Sequence, residues 1–261
     1  MRSPLIEAAC VFRVCLDAAG RSGAENMAID AALLDRANGT GRSFLRLYRF
    51  DPPCLSLGRN EPAARYDHTE IARRGLDVVR RPTGGRAVWH EHEVTYAVAA
   101  PVAAFGSLRH AYHTIHERIA AALRSLGADA TLAPHQPPPA SRVDPPASCF
   151  ATPVGGEVLV AGRKLVGSAQ VRKGNAFLQH GSILLDGSQE IVRVVGRQAS
   201  AINGETTLSG VLRRRVSFDE VADAIVVAWG DAVTSPNLHQ PPPTSTTLHL
   251  DLAPQGIAVK S

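Results

Sequence analysis

Apolar positions recur every three to four residues in some stretches of the chain and every second residue in others, and these two periods set out its elements. The Ala- and Leu-rich run from Gly23 to Asn38 predicts a helix, ended by Gly39. Leu108, Ala111, Ile115, Ile119, Ala122 and Leu126 fall on one face of a second helix, with Ser107 as N-cap and Gly127 as stop. Ser217 and Glu220 form a capping-box pattern that opens a last helix, in which Val221, Ile225 and Trp229 are the buried positions. Strand-like runs lie between: Phe44–Tyr48, Cys54–Leu57, Asp77–Arg80, Ala87–His90 and Val94–Ala99, then Glu157–Val160, Lys164–Val171 and Ala176–Leu185. The Pro-rich segment Pro134 to Pro146 suits neither a helix interior nor a central strand and reads as a surface loop. No internal repeat is visible. Strands in the middle with helices among them predict one α+β domain over residues 1–235, followed by a loosely held tail, 236–261.

Composition narrows the function classes. Aromatics make up 5% of the 261 residues, so Leu, Val, Ile and Ala must build the core. The formal net charge of +4 permits an acidic partner such as a carrier protein but lacks the density of a nucleic-acid binder. The basic run Arg213 to Arg215 reads as a solvated turn. No stretch reaches the apolar length of a membrane span, and Met1 to Leu16, with charges at Arg2, Glu7 and Arg13, does not read as a secretion signal. The four cysteines show neither a CxxC pair nor a disulfide framework, so reduced thiols in a cytoplasmic protein are expected.

Several segments can carry chemistry. Around Gly84-Gly85 stand Arg80, Arg81, Thr83, Arg86 and His90. Paired glycines let backbone approach a ligand, and flanking arginines offer forks for carboxylate or phosphate oxygens; a structural turn with solvated arginines is the other reading. In Gly162 to Gln170 the order Lys164, Gly167, Ser168, Ala169, Gln170 fails the P-loop pattern, because the lysine precedes the glycine and a strand follows. Lys164 then points either into a site or into water. His180-Gly181-Ser182 lacks the context of a hydrolase nucleophile and reads as a strand where backbone nears a ligand. His90 and His92 alternate on a strand, but no further histidines or cysteines stand at metal-ligand spacing, so no metal is expected. Cys149, just past the Pro-rich loop, is either a small buried apolar residue or a nucleophile.

In this order, Asn26–Asp30, Leu55–Arg59, Arg80–His90, Glu93–Tyr96, Lys164–Gln170 and Gln179–Ser182 resemble the lipoate–protein ligase and octanoyltransferase superfamily, from Asn26 to about Trp229. The resemblance implies the biotin/lipoate protein ligase-like catalytic domain, mixed β-sheets flanked by helices. It also implies one of two activities. Ligases use ATP and Mg to form an acyl-adenylate. Cysteine octanoyltransferases take an octanoyl chain from an acyl carrier protein thioester, hold it on their own cysteine and pass it to a lysine.

Three details favour the second activity. Arg86 stands where the ligases carry a third glycine, and Glu91–Tyr96 reads EHEVTY in place of their Asp-x-Gly-Asn ending. Ser148-Cys149-Phe150 stands where the octanoyltransferases carry the nucleophile. The chain after the last helix leaves no room for the ligases' accessory domain. The resemblance therefore implies Cys149 and Lys164 as catalytic residues, with Arg80, Arg81, Thr83, Gly84, Gly85, Arg86, His90, Gly167, Ser168, Ala169, Gln170, His180, Gly181 and Ser182 around the substrate. No cofactor is expected, since thioester to amide is downhill. The expected partners are an acyl carrier protein as donor and a lipoyl-domain or glycine-cleavage carrier protein as acceptor, with no nucleic acid or membrane.

Overall fold

Strands that read as near-continuous apolar runs must be covered on both faces. In the computed structural model, which describes residues 11–134, 155–197, 204–230 and 232–234, this is what the central strands do. Strand β1 (Phe12–Arg21) leads into helix α1 (Gly23–Thr40), then β2 (Ser43–Phe50) and β3 (Cys54–Leu57). Helix α2 (His68–Arg73), β4 (Asp77–Arg80), β5 (Val88–His90) and β6 (Glu93–Pro101) follow, then α3 (Leu108–Ser125) and β7 (Ala130–Leu132). The second half holds β8 (Val158–Val160), β9 (Arg163–Lys164), β10 (Val166–Lys173), β11 (Ala176–Leu184), α4 (Glu190–Val194), α5 (Leu208–Leu212), α6 (Phe218–Trp229) and β12 (Ala232–Thr234).

The main sheet has the order β10-β11-β6-β2-β1-β12, antiparallel from β10 to β2 and parallel across β1. Its register places Leu47, Tyr96, Gly181 and Ser168 in one row, and Tyr48, Thr95, Ser182 and Gly167 in the next. One face, through Leu45, Leu47, Val94 and Val98, packs on α3 and α6. The opposite face, through Phe44, Tyr48, Ala97, Ala99 and Leu178, packs on Met27, Ile29, Leu33 and Leu34 of α1. A small sheet, β4-β3-β5, lies against this part of the molecule with its own core of Leu55, Leu57, Tyr66, Ile71 and Trp89. A third, β7-β8-β9, completes the fold. This is an α+β architecture of mixed sheets flanked by helices. Among the described residues no helix is long and apolar enough to cross a membrane.

The helix ends repay comparison with the sequence. α1 passes through Gly39 and stops at Gly41, whose φ of 69° supplies the left-handed cap and whose N–H reaches Ala37 O at 3.0 Å. Gly39 makes no close approach to anything, whereas the Thr40 hydroxyl donates to Arg36 O at 2.6 Å and closes the last turn. Ser107 caps α3 as expected. Ser217 accepts from Glu220 N, but the Glu220 carboxylate turns to Arg214, so only half of that capping box forms. The complete box is at Ser22 and Glu25, ahead of α1. The run Lys164–Val171 is broken at Leu165, which separates β9 from β10. Strands β1 and β12 extend the sheet beyond what the apolar pattern suggested. Cys149, the Pro-rich segment from 135 on and the tail 236–261 lie outside the described residues.

Candidate active site

The Gly84-Gly85 loop is held down by contacts that admit no side chain. A Cβ on Gly58 would lie 1.9 Å from Gly85 O, so two backbones touch where β3 ends. Arg80 and Arg81 serve this contact from its two sides. Arg80 Nη1 donates to Gly58 O at 2.6 Å and Glu61 O at 2.8 Å. Arg81 donates to Ser56 O and to Gly84 O, each at 2.9 Å, and to Arg86 O. The forks expected to meet substrate oxygens thus engage backbone carbonyls, and Arg81 alone of the two also lines the cleft.

That cleft lies between the α1-facing side of the main sheet and the small sheet. It encloses about 360 Å³ of empty space, part of it open to solvent. Met27, Tyr48, Phe50 and Val88 give it apolar walls. Arg81, His90, Gly167, Ser168, Ala169, His180, Gly181 and Ser182 line it as well, so eight of the expected substrate residues converge there. Arg80, Thr83, Gly84, Gly85, Arg86 and Gln170 are not among the lining residues. Thr83 is fully buried and shares a 2.6 Å hydrogen bond with His180 Nε2, while Gln170 donates to Gln179 Oε1 at 2.7 Å. At Gly181 a Cβ would meet Ser168 Oγ at 2.4 Å, Gly167 O at 2.6 Å and Tyr96 Cε1 at 2.7 Å, so the floor of the cleft requires glycine.

Three buried histidines are fixed by different partners. His180 Nδ1 lies 2.9 Å from Asp30 Oδ2, and Asp30 also takes Arg46 at 3.1 Å and the Tyr48 hydroxyl at 2.8 Å. Burial pulls the His180 pKa below its ordinary value, against the pull of Asp30. His90 Nδ1 lies 2.5 Å from Glu93 Oε1, which also accepts from Thr95, while Ser182 donates to Glu93 Oε2. The other nitrogen of His90 is 2.8 Å from Ser56 Oγ. His116 Nδ1 faces Gly156 O at 2.7 Å, and its Nε2 faces Ser168 Oγ at 2.8 Å. Burial brings the His116 pKa down to about 3, the Lys164 charge acting in the same direction and the Gly156 bond opposing it.

A carbonyl only accepts, so Nδ1 of the neutral His116 carries the proton and Nε2 receives the Ser168 hydroxyl. Tyr96 O–H, 2.6 Å from Ser168 Oγ, and Gln179 Nε2, 3.0 Å from Tyr96 O, extend this chain of donors.

Lys164, at the end of β9, pairs with Glu157 at 2.7 Å, the two side chains being 1% and 2% exposed. Its backbone is held by Gly204 O and Thr206 N. Of the described cysteines, Cys15 is pushed up to about 11 and Cys54 well above the ordinary thiol range, burial being the main cause in both. Neither is a thiolate at neutral pH. Sequence reasoning missed Glu157, His116 and Asp30 as polar supports of the site. Besides its place in the Asn26–Asp30 segment, Asp30 is signalled by the helix face that it shares with Met27 and Leu33, a charge where the apolar pattern expects none. Among the described residues no three His, Cys, Asp or Glu side chains converge as a metal site, and His92 is exposed beside Glu91.

Comparison with known proteins bears on this arrangement. A family model described as the lipoyl protein ligase A/B catalytic domain matches residues 22–230. The chain is 44% identical to the octanoyltransferase LipM of Kyrpidia tusciae over 183 residues, 67% of each chain. It is 36% identical to the LipM of Symbiobacterium thermophilum over 235 residues, 84% of this chain and 85% of that one. A solved structure of lipoate-protein ligase A bound with ATP superposes with a TM-score of 0.71 at 20% identity, over 87% of this chain and 88% of that one. A putative lipoate protein ligase from T. acidophilum does so with a TM-score of 0.69 at 20% identity, over 88% and 90%. At such identities the structural likeness speaks for the fold alone.

Proposed function

The chain belongs to the lipoyl protein ligase A/B catalytic-domain family, and from that premise we propose that it carries an octanoyl group from a carrier-protein thioester to an acceptor lysine through its own Cys149. It is an octanoyltransferase of protein lipoylation, like the relatives it covers over most of their length. The donor is an acyl carrier protein and the acceptor a lipoyl-domain or glycine-cleavage carrier protein. No ATP, Mg or other cofactor enters, because a thioester already stores what the amide needs.

In the first step the Cys149 thiolate attacks the donor carbonyl, a new C–S bond forms, the bond from that carbonyl to the carrier's sulfur breaks, and the carrier leaves as a thiolate. In the second the acceptor amine attacks Cys149's thioester, loses a proton, and the thiolate is released. An ordinary thiol is only a few per cent ionised at neutral pH, and lowering its pKa by about two units raises that roughly twentyfold, worth roughly 2 kcal/mol. Lys164 supplies the positive field for this. The observation that carries the reading is the buried Lys164–Glu157 pair, whose lysine is separated by Leu165 alone from β10, a strand that contributes to the cleft lining. Neither residue lines the cleft, but a buried ion pair is weak support for stability, so its retention just ahead of a cleft-lining strand supports a role in the chemistry. Glu157 fixes the ammonium in position and offers a second stop for the proton of the incoming amine. Burial of Cys15 and Cys54 speaks for Cys149 as well.

The acyl chain lies along Met27, Tyr48, Phe50 and Val88, with its carbonyl near backbone groups of Ser168, Ala169 and Gly181. The test is intact-protein mass after mixing with octanoyl-acyl carrier protein without ATP, beside Cys149→Ala. An octanoyl adduct on the parent alone is expected. Transfer that needs ATP and free acid, with no adduct, overturns the reading in favour of a ligase.

A further inference from the structure

Among the described residues three serine or threonine hydroxyls pair with buried histidines around the cleft, and the pairs differ in two respects. Thr83 pairs with His180, which a carboxylate orients, but Thr83 is not part of the cleft lining. Ser168 lines the cleft, but its partner His116 is oriented by a backbone carbonyl and, with its pKa down at about 3, is a weak proton acceptor. Ser56 alone combines both properties. Its Oγ is 2.8 Å from His90 Nε2, and His90 Nδ1 is 2.5 Å from Glu93 Oε1. Ser56 and His90 both line the cleft. In β3, Leu55 and Leu57 face the core of the small sheet, so Ser56 faces the other way.

We propose that Ser56, His90 and Glu93 form a second acyl-transfer centre, with Ser56 as nucleophile, that hydrolyses medium-chain acyl esters and thioesters held in the cleft. The geometry meets the requirements of such a centre: nucleophile and base within hydrogen-bond reach, the base oriented by a third group, and a cation close by. Glu93 accepts a hydrogen bond from His90 Nδ1–H, which leaves Nε2 free to take the Ser56 proton. Arg81 Nη1, 3.2 Å from Ser56 Oγ, places its charge where an alkoxide and then an oxyanion develop. Phe50 stacks on the His90 ring at 4.1 Å between centroids and holds its plane.

The reaction balances without any redox partner. As Oγ attacks the acyl carbonyl carbon, His90 Nε2 takes the hydroxyl proton. The carbonyl–sulfur or carbonyl–oxygen bond breaks, and His90 returns the proton to the leaving thiolate or alkoxide. Water then attacks the Ser56 ester, His90 takes and returns one proton again, and the free acid departs. The proposal takes from the reading above only that the cleft holds the acyl chain, and it does not need Cys149.

The experiment uses full-length Cys149→Ala protein and p-nitrophenyl octanoate. Steady release of p-nitrophenolate is expected, with an octanoyl adduct mapped by peptide mass to Ser56 after rapid acid quenching. Cys149→Ala/Ser56→Ala should lose on the order of 100-fold or more of this rate. Release no faster than in buffer, or an adduct mapped to another residue, overturns the proposal. The mapping stands even where Ser56→Ala fails to fold. Because Cys149 is absent throughout, failure here leaves the octanoyl-carrier test untouched, and failure there leaves this one.

Discussion

Lys164 Nζ sits 2.7 Å from Glu157 Oε1 with both side chains almost wholly removed from solvent. Breaking such a pair leaves one charge buried alone, which costs about 3–5 kcal/mol, whereas replacing both partners by neutral groups of like size is close to neutral. Glu157→Gln and Lys164→Met should therefore each unfold at markedly lower urea concentration than the parent. Lys164→Met/Glu157→Gln should recover most of that loss without recovering acyl transfer. Urea titration beside single-turnover transfer checks this. A double variant as active as the parent would remove the pair from the mechanism.

Gly181→Ala tests the floor of the cleft. The added carbon would come within 2.4 Å of a side-chain hydroxyl, Ser168 Oγ, and within 2.6 Å of a backbone oxygen, Gly167 O. The hydroxyl can be deleted but the backbone cannot, so Gly181→Ala/Ser168→Ala should remain impaired. Overpacking of this kind costs about 1–3 kcal/mol. The expected outcome is a lower melting temperature and at least tenfold slower transfer in both variants. Rescue by Ser168→Ala would mean that strands β10 and β11 part more readily than their register suggests.

His116 makes stability depend on pH. Its folded pKa is depressed to about 3 by burial, below the ordinary 6.5, so between these values the unfolded chain binds a proton that the folded one does not. Stability from this group is therefore complete above about pH 6.5 and is lost as pH falls, by up to about 1.4 kcal/mol per pH unit. His180, lowered in the same direction, adds to the slope. Urea midpoints measured from about pH 7 down to about pH 4 should fall steadily. The His116→Gln variant, which keeps a donor towards Gly156, should show a shallower fall. An equal slope in both would assign the pH dependence to other groups.

Much of this molecule was legible in its sequence, and the gaps have physical causes. The helices from Gly23 and from Leu108 carry strong N-caps, and the strands at Cys54–Leu57 and Asp77–Arg80 are short runs set off by Pro, Gly and polar breaks, so pattern located them. β1 escaped because Arg13, Asp17 and Arg21 interrupt its apolar run, and its partners β2 and β12 are remote in sequence. Most of the expected substrate residues line the cleft because turn glycines and strand alternation fix which side chains face it. Arg80 does not, because a guanidinium in reach of three loop carbonyls is held there before it can reach a ligand. Glu157 and His116 were invisible for a different reason. Glu157 meets Lys164 across the β8–β9 hairpin, whose strands are too short to read from pattern, and His116 meets Ser168 only once α3 has packed on the main sheet.

Met27 sets the last expectation. It is buried on α1 and forms an apolar wall of the cleft together with Tyr48 and Phe50. Tyr48 is tied to Asp30 and Phe50 is stacked on His90, so neither wall can move without breaking a polar network. Met27 has no such tie, and its flexible thioether side chain is the part of the wall most readily cut back. Met27→Ala should open room for further methylenes, each worth about 0.8 kcal/mol when buried, or roughly fourfold in binding. Competition between octanoyl and decanoyl carrier thioesters should shift towards the longer chain by about fifteenfold when two methylenes are accommodated. The variant should also lose at least about 2 kcal/mol of stability from the cavity it leaves, which a longer bound chain would partly restore. An unchanged preference would place the end of the acyl chain away from Met27, with Val88 as the next wall to test.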